Sequence, residues 1–205
     1  MAEEQRTVLN VYNLAMGYCK AARIFLESEP TVAAEECNLH YPRIRRRMLR
    51  AGKPNFASKL VTLTKDLEAP AFGFTNRFLI PSDCLSLNVL NRTNPCAYRV
   101  IGRYIHADVD EIELEYTFDE KTLTNWDALY YEMLSIALAK AVVLKLTEDL
   151  GRIQVVNALY TESKVESLFS DSAEGTPEET GLESDWLGSR NGFTEGDRTW
   201  GSRAL

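Results

Sequence analysis

Histidine and cysteine are scarce in this chain, and their scarcity closes off most enzyme chemistry. Only two histidines occur in 205 residues. His40 and His106 stand in no recognisable motif, so a Ser-His-Asp arrangement has few ways to form. There is no GxGxxG, no Walker loop, no nucleophile elbow and no HExxH. The four cysteines, Cys19, Cys37, Cys84 and Cys96, form no CxxC pair. His40 follows Cys37 by three residues, but no second pair answers it, so neither a metal site nor a cofactor is expected. The thiols read as free and mostly buried, in a reducing compartment.

Long apolar runs are missing too. Leu134 to Leu146 is the most apolar stretch, and Lys140 and Lys145 interrupt it. A membrane-spanning helix needs about 20 mostly apolar residues, so this stretch reads as a buried core helix. Met1-Ala2-Glu3-Glu4-Gln5-Arg6 carries two acids and no apolar core, so no secretory leader is expected. The net charge of -7 argues against a surface built for non-specific binding to nucleic acid or membrane.

Carboxylates are plentiful, and a glycosidase needs two of them flanking a sugar bond. Asp83, Asp108, Asp110, Glu113, Asp119 and Glu120 form the available pool. An acidic sequence supplies such pairs by default, so no catalytic residue is assigned and the chain is not expected to be an enzyme. A cell-wall or polysaccharide hydrolase stays as the enzymatic alternative.

What the chain does have is a spine. From Thr124 to Glu148, the residues Trp126, Leu129, Tyr130, Met133, Ile136, Ala137, Val143 and Leu144 recur at helical spacing, with Ala141 and Val142 widening the stripe. Thr124 is the expected cap, with Asp127 three residues on. Such a helix spans roughly 35 Å and should be covered on more than one side.

Upstream, residues 6–16 predict a first helix with Val8, Val11, Leu14 and Ala15 on one face and Gly17 as its stop or weak point. Lys20 to Leu26 could prolong it. A second helix is expected from Pro30-Thr31 to about Leu49, kinked or split at Pro42. Its second half is basic: Arg43, Arg45, Arg46, Arg47, Arg50 and Lys53 come with no acid among them. Ile44, Met48 and Ala51 are its candidate buried positions. The block reads either as a contact for nucleic-acid phosphates or an acidic partner, or as a solvated face paired to Glu35 and Glu36. No aromatics interleave the arginines, which argues against single-strand binding.

From Asn55 to Thr117 the period becomes two. Strands are expected at 57–64, 77–80, 84–90, 97–101, 103–106 and 111–116, with a tight turn at Gly102. Glu111, Glu113 and Glu115 should share one strand face. After the spine helix, Gly151 is read as a break. Ile153, Val156, Leu159, Tyr160, Val165 and Leu168 then predict a fourth helix to about Ser170, antiparallel to the spine because the connection is short. The last stretch is rich in turns and acids yet holds Trp186, Leu187, Phe193 and Trp200, which suggests docking onto something else.

The fold class is therefore α+β: an antiparallel helical bundle with an inserted antiparallel β-sheet or small sandwich and an extended C-terminal tail. The divisions are 1–54 for the N-terminal helices, 55–120 for the β domain, 121–172 for the C-terminal helices and 173–205 for the tail.

Several stretches, in order, resemble one family. Ala34-Glu35-Glu36-Cys37-Asn38-Leu39-His40-Tyr41-Pro42-Arg43-Ile44-Arg45-Arg46 is similar to an Ala…Cys-Asn-Xaa-Xaa-Tyr-Pro…Arg run. Pro54-Asn55-Phe56-Ala57 is similar to a Trp-Asn-Phe-Ala step into the first strand, with Pro54 where tryptophan usually stands. Leu79-Ile80-Pro81-Ser82-Asp83-Cys84-Leu85 resembles a Leu-Pro-Xaa-Asp-Cys-Leu segment. Tyr98-Arg99-Val100-Ile101-Gly102-Arg103 resembles a strand-Gly-Arg turn. Glu183-Ser184-Asp185-Trp186-Leu187-Gly188-Ser189-Arg190 resembles an acidic Ser-Asp-Trp-Leu-Xaa-Xaa-Arg tail. The family is tail tubular protein A, the portal-to-tail adaptor or head-to-tail connector of short-tailed bacteriophages (podoviruses).

The resemblance implies a structural virion protein at the head-tail junction, made in the host bacterial cytoplasm. It implies a twelve-fold ring of identical subunits that joins the portal protein to the tail nozzle (a tubular protein B-like protein) and lines the channel through which double-stranded DNA is ejected, with no membrane partner. The interface candidates are Arg43, Arg45, Arg46, Arg47, Arg50, Trp186, Leu187, Arg190, Phe193 and Trp200. The non-enzymatic alternative is a nucleic-acid-binding protein that uses the Arg43–Arg50 block.

Overall fold

The structure is a computed structural model that describes residues 6–91, 95–147 and 149–174. One compact unit spans Met1–Ala173, and a second, Glu174–Leu205, falls almost wholly outside the described residues. The predicted docking tail therefore lies outside them.

The fold is α+β. Among the described residues four helices, α1 (Val8–Cys19), α2 (Val32–Gly52), α3 (Ala128–Leu146) and α4 (Leu150–Glu174), enclose in sequence six strands. The strands are β1 (Ser58–Thr64), β2 (Asn76–Leu79), β3 (Cys84–Leu90), β4 (Tyr98–Ile101), β5 (Tyr104–Ala107) and β6 (Glu111–Phe118).

Thr7 caps α1 and Thr31 caps α2, each hydroxyl accepting a backbone N–H three residues on. Gly17 does not stop α1. The helix runs to Cys19 and closes on Lys20 at φ 56°, whose N–H bonds the carbonyls of Gly17 and Met16. Lys20 to Leu26 is not helical. Pro42 does not split α2, which runs unbroken for 21 residues. Cys37 and Tyr41 before the proline and Ile44, Met48 and Leu49 after it are buried in the same core, and that burial outweighs the lost backbone bond. Ala51 is exposed rather than buried.

The spine helix α3 starts later than expected. Leu123–Asn125 is a single 3-10 turn, and Asp127, not Thr124, is the cap, accepting from the N–H groups of Leu129 and Tyr130. Every residue from Met133 to Ala139 is buried, so the middle of α3 has no solvent face. Leu144 lies on the exposed side near its end. Asp149, rather than Gly151, makes the break into α4: its carboxylate accepts from the N–H groups of Gly151 and Arg152, the first turn of the helix.

α2 and α4 run antiparallel to α3, whereas α1 runs in the same sense: the Tyr131 hydroxyl donates to the Thr7 carbonyl at the start of α1, and the Cys19 thiol at its end donates to the Ala139 carbonyl. Gly52 at the end of α2 abuts the Tyr130 ring near the start of α3. Along α4, Tyr160 lies against Lys140 and Ser167 against Met133, so α3 and α4 run in opposite senses. Asn55 fixes the far end of α4, donating from its backbone N–H to the Asp171 carboxylate and from its side chain to the Asp171 carbonyl, both at 2.9 Å. Phe56 packs at a tilt against Trp126 and edge-to-face against Tyr130, and Pro54 is buried.

The strands make two three-stranded antiparallel sheets, ordered β1-β6-β3 and β2-β5-β4. Ile112, Leu114 and Tyr116 of β6 meet Phe78 of β2 and Ile105 and Ala107 of β5 in one core, so the sheets face each other as a small sandwich. Glu111, Glu113 and Glu115 lie on the opposite face of β6. Gly102 makes the β4–β5 turn at φ 62°, open to glycine without strain. The clean alternation expected of β3 is broken by two register shifts against β6, where bulges let both faces of the strand become half-buried.

Candidate functional site

The arginine block lies where the bundle meets the sandwich, and the structure divides its members. Arg45 is buried. Its guanidinium bonds the Asp119 carboxylate at 2.7 Å, just past the end of β6, and lies over the Tyr41 ring. Arg46 takes the other Asp119 oxygen at 3.0 Å from an exposed position. The block's carboxylate partner is thus Asp119 and not Glu35 or Glu36; Glu36 lies 3.4 Å from His40 instead. As an interface candidate Arg45 is corrected, because a buried cation bonded within its own chain presents nothing to a partner. Arg43 contacts the His40 ring. Arg43, Arg47 and Arg50 are exposed on α2, with Arg47 at the mouth of a cavity and Arg50 beside the sandwich, and among the described residues no carboxylate bonds them. Trp186, Leu187, Arg190, Phe193 and Trp200 lie outside the described residues.

A cavity of about 470 Å³ opens between α2, α3 and α4. Arg47, Lys140 and Lys164 line it together with Tyr160, over Met48 and Met133, and no acid shares the lining. It is a cationic opening with an apolar floor.

The carboxylate pool is engaged in holding the fold. Glu120 is buried and accepts from the Thr122 N–H and the Asn125 side chain, shaping the link from β6 to α3. Asp108 accepts from the Thr75 N–H and hydroxyl, and Asp110 meets Lys65 at 2.8 Å. Partial burial works against the charge on Asp83, but the Lys59 ammonium and the Tyr116 hydroxyl outweigh it and hold the carboxyl below its usual range. The same contact, added to burial, pushes Tyr116 up to about 12. Lys65 likewise lowers Asp110. Lowered carboxyls of this kind are the reverse of what a general acid requires.

Burial pushes the Cys19 thiol up to about 11 and the Cys37 thiol up to about 12, so both are inert at neutral pH. Among the described residues no group of three or more His, Cys, Asp or Glu is placed to hold a metal ion. No helix there is long and apolar enough to cross a membrane.

One surface went unread in the sequence. The inner face of α4 carries Ile153, Val156, Tyr160 and Leu168 against the core. Val165, expected on that face, points outward, where Val155, Ala158, Val165 and Phe169 form a second apolar line at spacings of three, seven and four. Phe169 is 76% exposed and Val165 66%. The 3-4 spacing was available as a signal. It was masked because the inner stripe alone accounts for an amphipathic helix.

No family model and no curated protein matches the chain.

Proposed function

We propose that this chain is a ring-forming adaptor subunit of a short-tailed bacteriophage, joining the portal to the tail nozzle and lining the channel through which DNA leaves. The observation that carries the reading is the plan itself: helices, then an inserted sandwich, then helices, with motif-bearing segments at the joints. The segment from Ala34 to Arg46 lies on α2. Asn55 and Phe56 clamp α4 and α3. The Asp83-Cys84 segment opens β3, and Gly102 turns β4 into β5.

The physics of a channel agrees with the composition. A net charge of -7 lets DNA slide past without adhering, since like charge repels phosphate. A closed ring needs two different patches per subunit, and α2 and α4 present exposed faces of different chemistry. A polyanion-binding role for the arginine block is weakened by Arg45, which is internal. A hydrolytic role is weakened by a carboxylate pool bonded into turns and ion pairs.

The test is the mass of the purified protein, alone and mixed with the portal protein of the same virus, by light scattering. A monomer or small oligomer that becomes a ring of defined stoichiometry on the portal supports the adaptor. A protein that ignores the portal and instead binds duplex DNA with a steep salt dependence, or cleaves peptidoglycan, overturns it.

A further inference from the structure

Exposed apolar side chains on an otherwise charged helix mark a face that something covers. On α4 that face lies opposite the buried one and carries Val155, Val165 and Phe169, with Glu162 and Glu166 set among them. On α2 the outward side carries Val32, 56% exposed, and Leu39, 69% exposed, followed by Arg43, Arg47 and Arg50. Glu35 and Glu36 lie in its first half, and Glu36 faces His40. Lys164 of α4 and Arg47 of α2 both line the cavity beside Tyr160, Arg47 as an exposed residue at its mouth.

The two faces are alike in apolar content and opposite in charge. We infer that they pair between copies: the outer face of α4 of one subunit, acidic and apolar, docks on the outer face of α2 of the next, basic and apolar. The inference rests on the ring reading above and names the surface that builds the ring.

Charge decides against the simpler pairing of α4 with α4. An isologous contact would bring the Glu162 and Glu166 pairs of two copies into one apolar seam, where like charges opposed at an interface are costly. A heterologous contact sets each acid pair against arginines that have no carboxylate of their own among the described residues, and it repeats head to tail, as a ring requires. Phe169, with the largest exposed apolar side chain of the α4 face, is its expected anchor. The inference also gives the arginine block its role. Arg45 and Arg46 hold the bundle to the sandwich through Asp119, and Arg43, Arg47 and Arg50 face the neighbour.

A charge exchange between two full-length variants tests the pairing. One carries Glu162→Lys and Glu166→Lys, the other Arg43→Glu and Arg47→Glu. Sedimentation equilibrium reads the mass of the parent, each variant and their equimolar mixture, alone and with the portal protein, and circular dichroism checks that helix content is kept. Each variant alone should associate at least ~10-fold more weakly than the parent, and the mixture should recover parental association, because every α4 then meets an α2 of opposite sign. Phe169→Ser should weaken association in the same way. Recovery in the mixture cannot come from misfolded chains.

Variants that associate as strongly as the parent would overturn these faces while leaving the ring intact. Loss in both variants without recovery in the mixture would overturn the pairing. A parent that gains mass only by adding to the portal, with Phe169→Ser abolishing that addition, would assign the α4 face to the portal and overturn pairing between copies. A parent monomeric alone and on the portal would remove the ring reading itself, and this inference with it.

Discussion

Arg45 and Asp119 show how context decides the meaning of a residue. In the sequence Arg45 is one of six cations in a run. In the fold its position on α2 turns it inward, and the end of β6 brings a carboxylate to it at 2.7 Å. Asp119 also holds Arg46, which keeps 59% of its side chain in solvent. Removing the shared acid leaves a buried guanidinium without its counter-charge, so Asp119→Ala should destabilise the protein by about 3 kcal/mol. Arg46→Ala removes only a screened partner and should cost less than about 1 kcal/mol. Urea unfolding of the two variants separates these values, and equal losses would contradict the division drawn between the two arginines. Asp171 carries the pH prediction. Partial burial, with the charge of Asp127 adding to it, raises its carboxyl above the ordinary value, although the Asn55 N–H acts the other way. A carboxyl raised by folding favours the native state while protonated and loses that contribution as pH rises through its folded value. Asp171→Asn keeps an acceptor for Asn55 and has no charge to bury. It should therefore match or exceed the parent in stability at pH 7 and lose that advantage in acid. Thermal melts at both pH values check the sign, and a variant weaker at neutral pH but equal in acid would reverse it.

Elements were more legible than residues. The period-two stretches located the six described strands to within a few residues, because each is bounded by proline, glycine or a polar cluster; β5 and β6 also alternate against a buried core, whereas β4 is exposed throughout and β3 is half-buried on both faces. The misread boundaries share one cause. Each turns on which of two competing local signals tertiary contacts select, and the sequence offers both. Thr124 and Asp127 can each cap α3, and the buried indole of Trp126, whose N–H donates to the Glu120 carbonyl, holds Leu123–Asn125 as a separate turn and leaves the cap to Asp127. Asp127→Ala should cost about 1 kcal/mol, whereas Thr124→Ala, at an exposed turn, should cost almost nothing; denaturation midpoints distinguish them. Pro42 is the sharper case. Local chemistry says that a helix breaks there, but α2 continues because its two halves share one core. The proline is exposed, so Pro42→Ala can restore a backbone N–H without disturbing packing. That variant should gain about 1–3 kcal/mol. A loss would mean that the proline ring itself contributes to the packing or rigidity of α2.

At the scale of the molecule, the described core reaches the end of α4. Its final contacts are Ser167 against Met133, Leu168 in the cluster and Asp171 clamped by Asn55. The proposed function rests on the order of motifs instead, since a connector of the kind proposed has no reacting atoms for a sequence to display. Its chemistry lies in faces such as the outer side of α4, which become legible only once the inner face is known. The aromatics Trp186, Phe193 and Trp200 follow the last clamp, so a chain ending at Glu174 keeps every element from α1 to α4. It should fold with parental helix content and a denaturation midpoint close to the parent's, and it should bind the portal at least tenfold more weakly, because aromatic anchors dominate interfaces of this kind. Circular dichroism reads the first outcome and light scattering with the portal reads the second. A truncated chain that unfolds would show that the aromatics complete this core, whereas one that binds the portal unchanged would move the docking surface onto the folded body. If the α4 face also pairs copies, Phe169→Ser and the truncation should fail differently: the point variant loses self-association, and the shortened chain loses the portal.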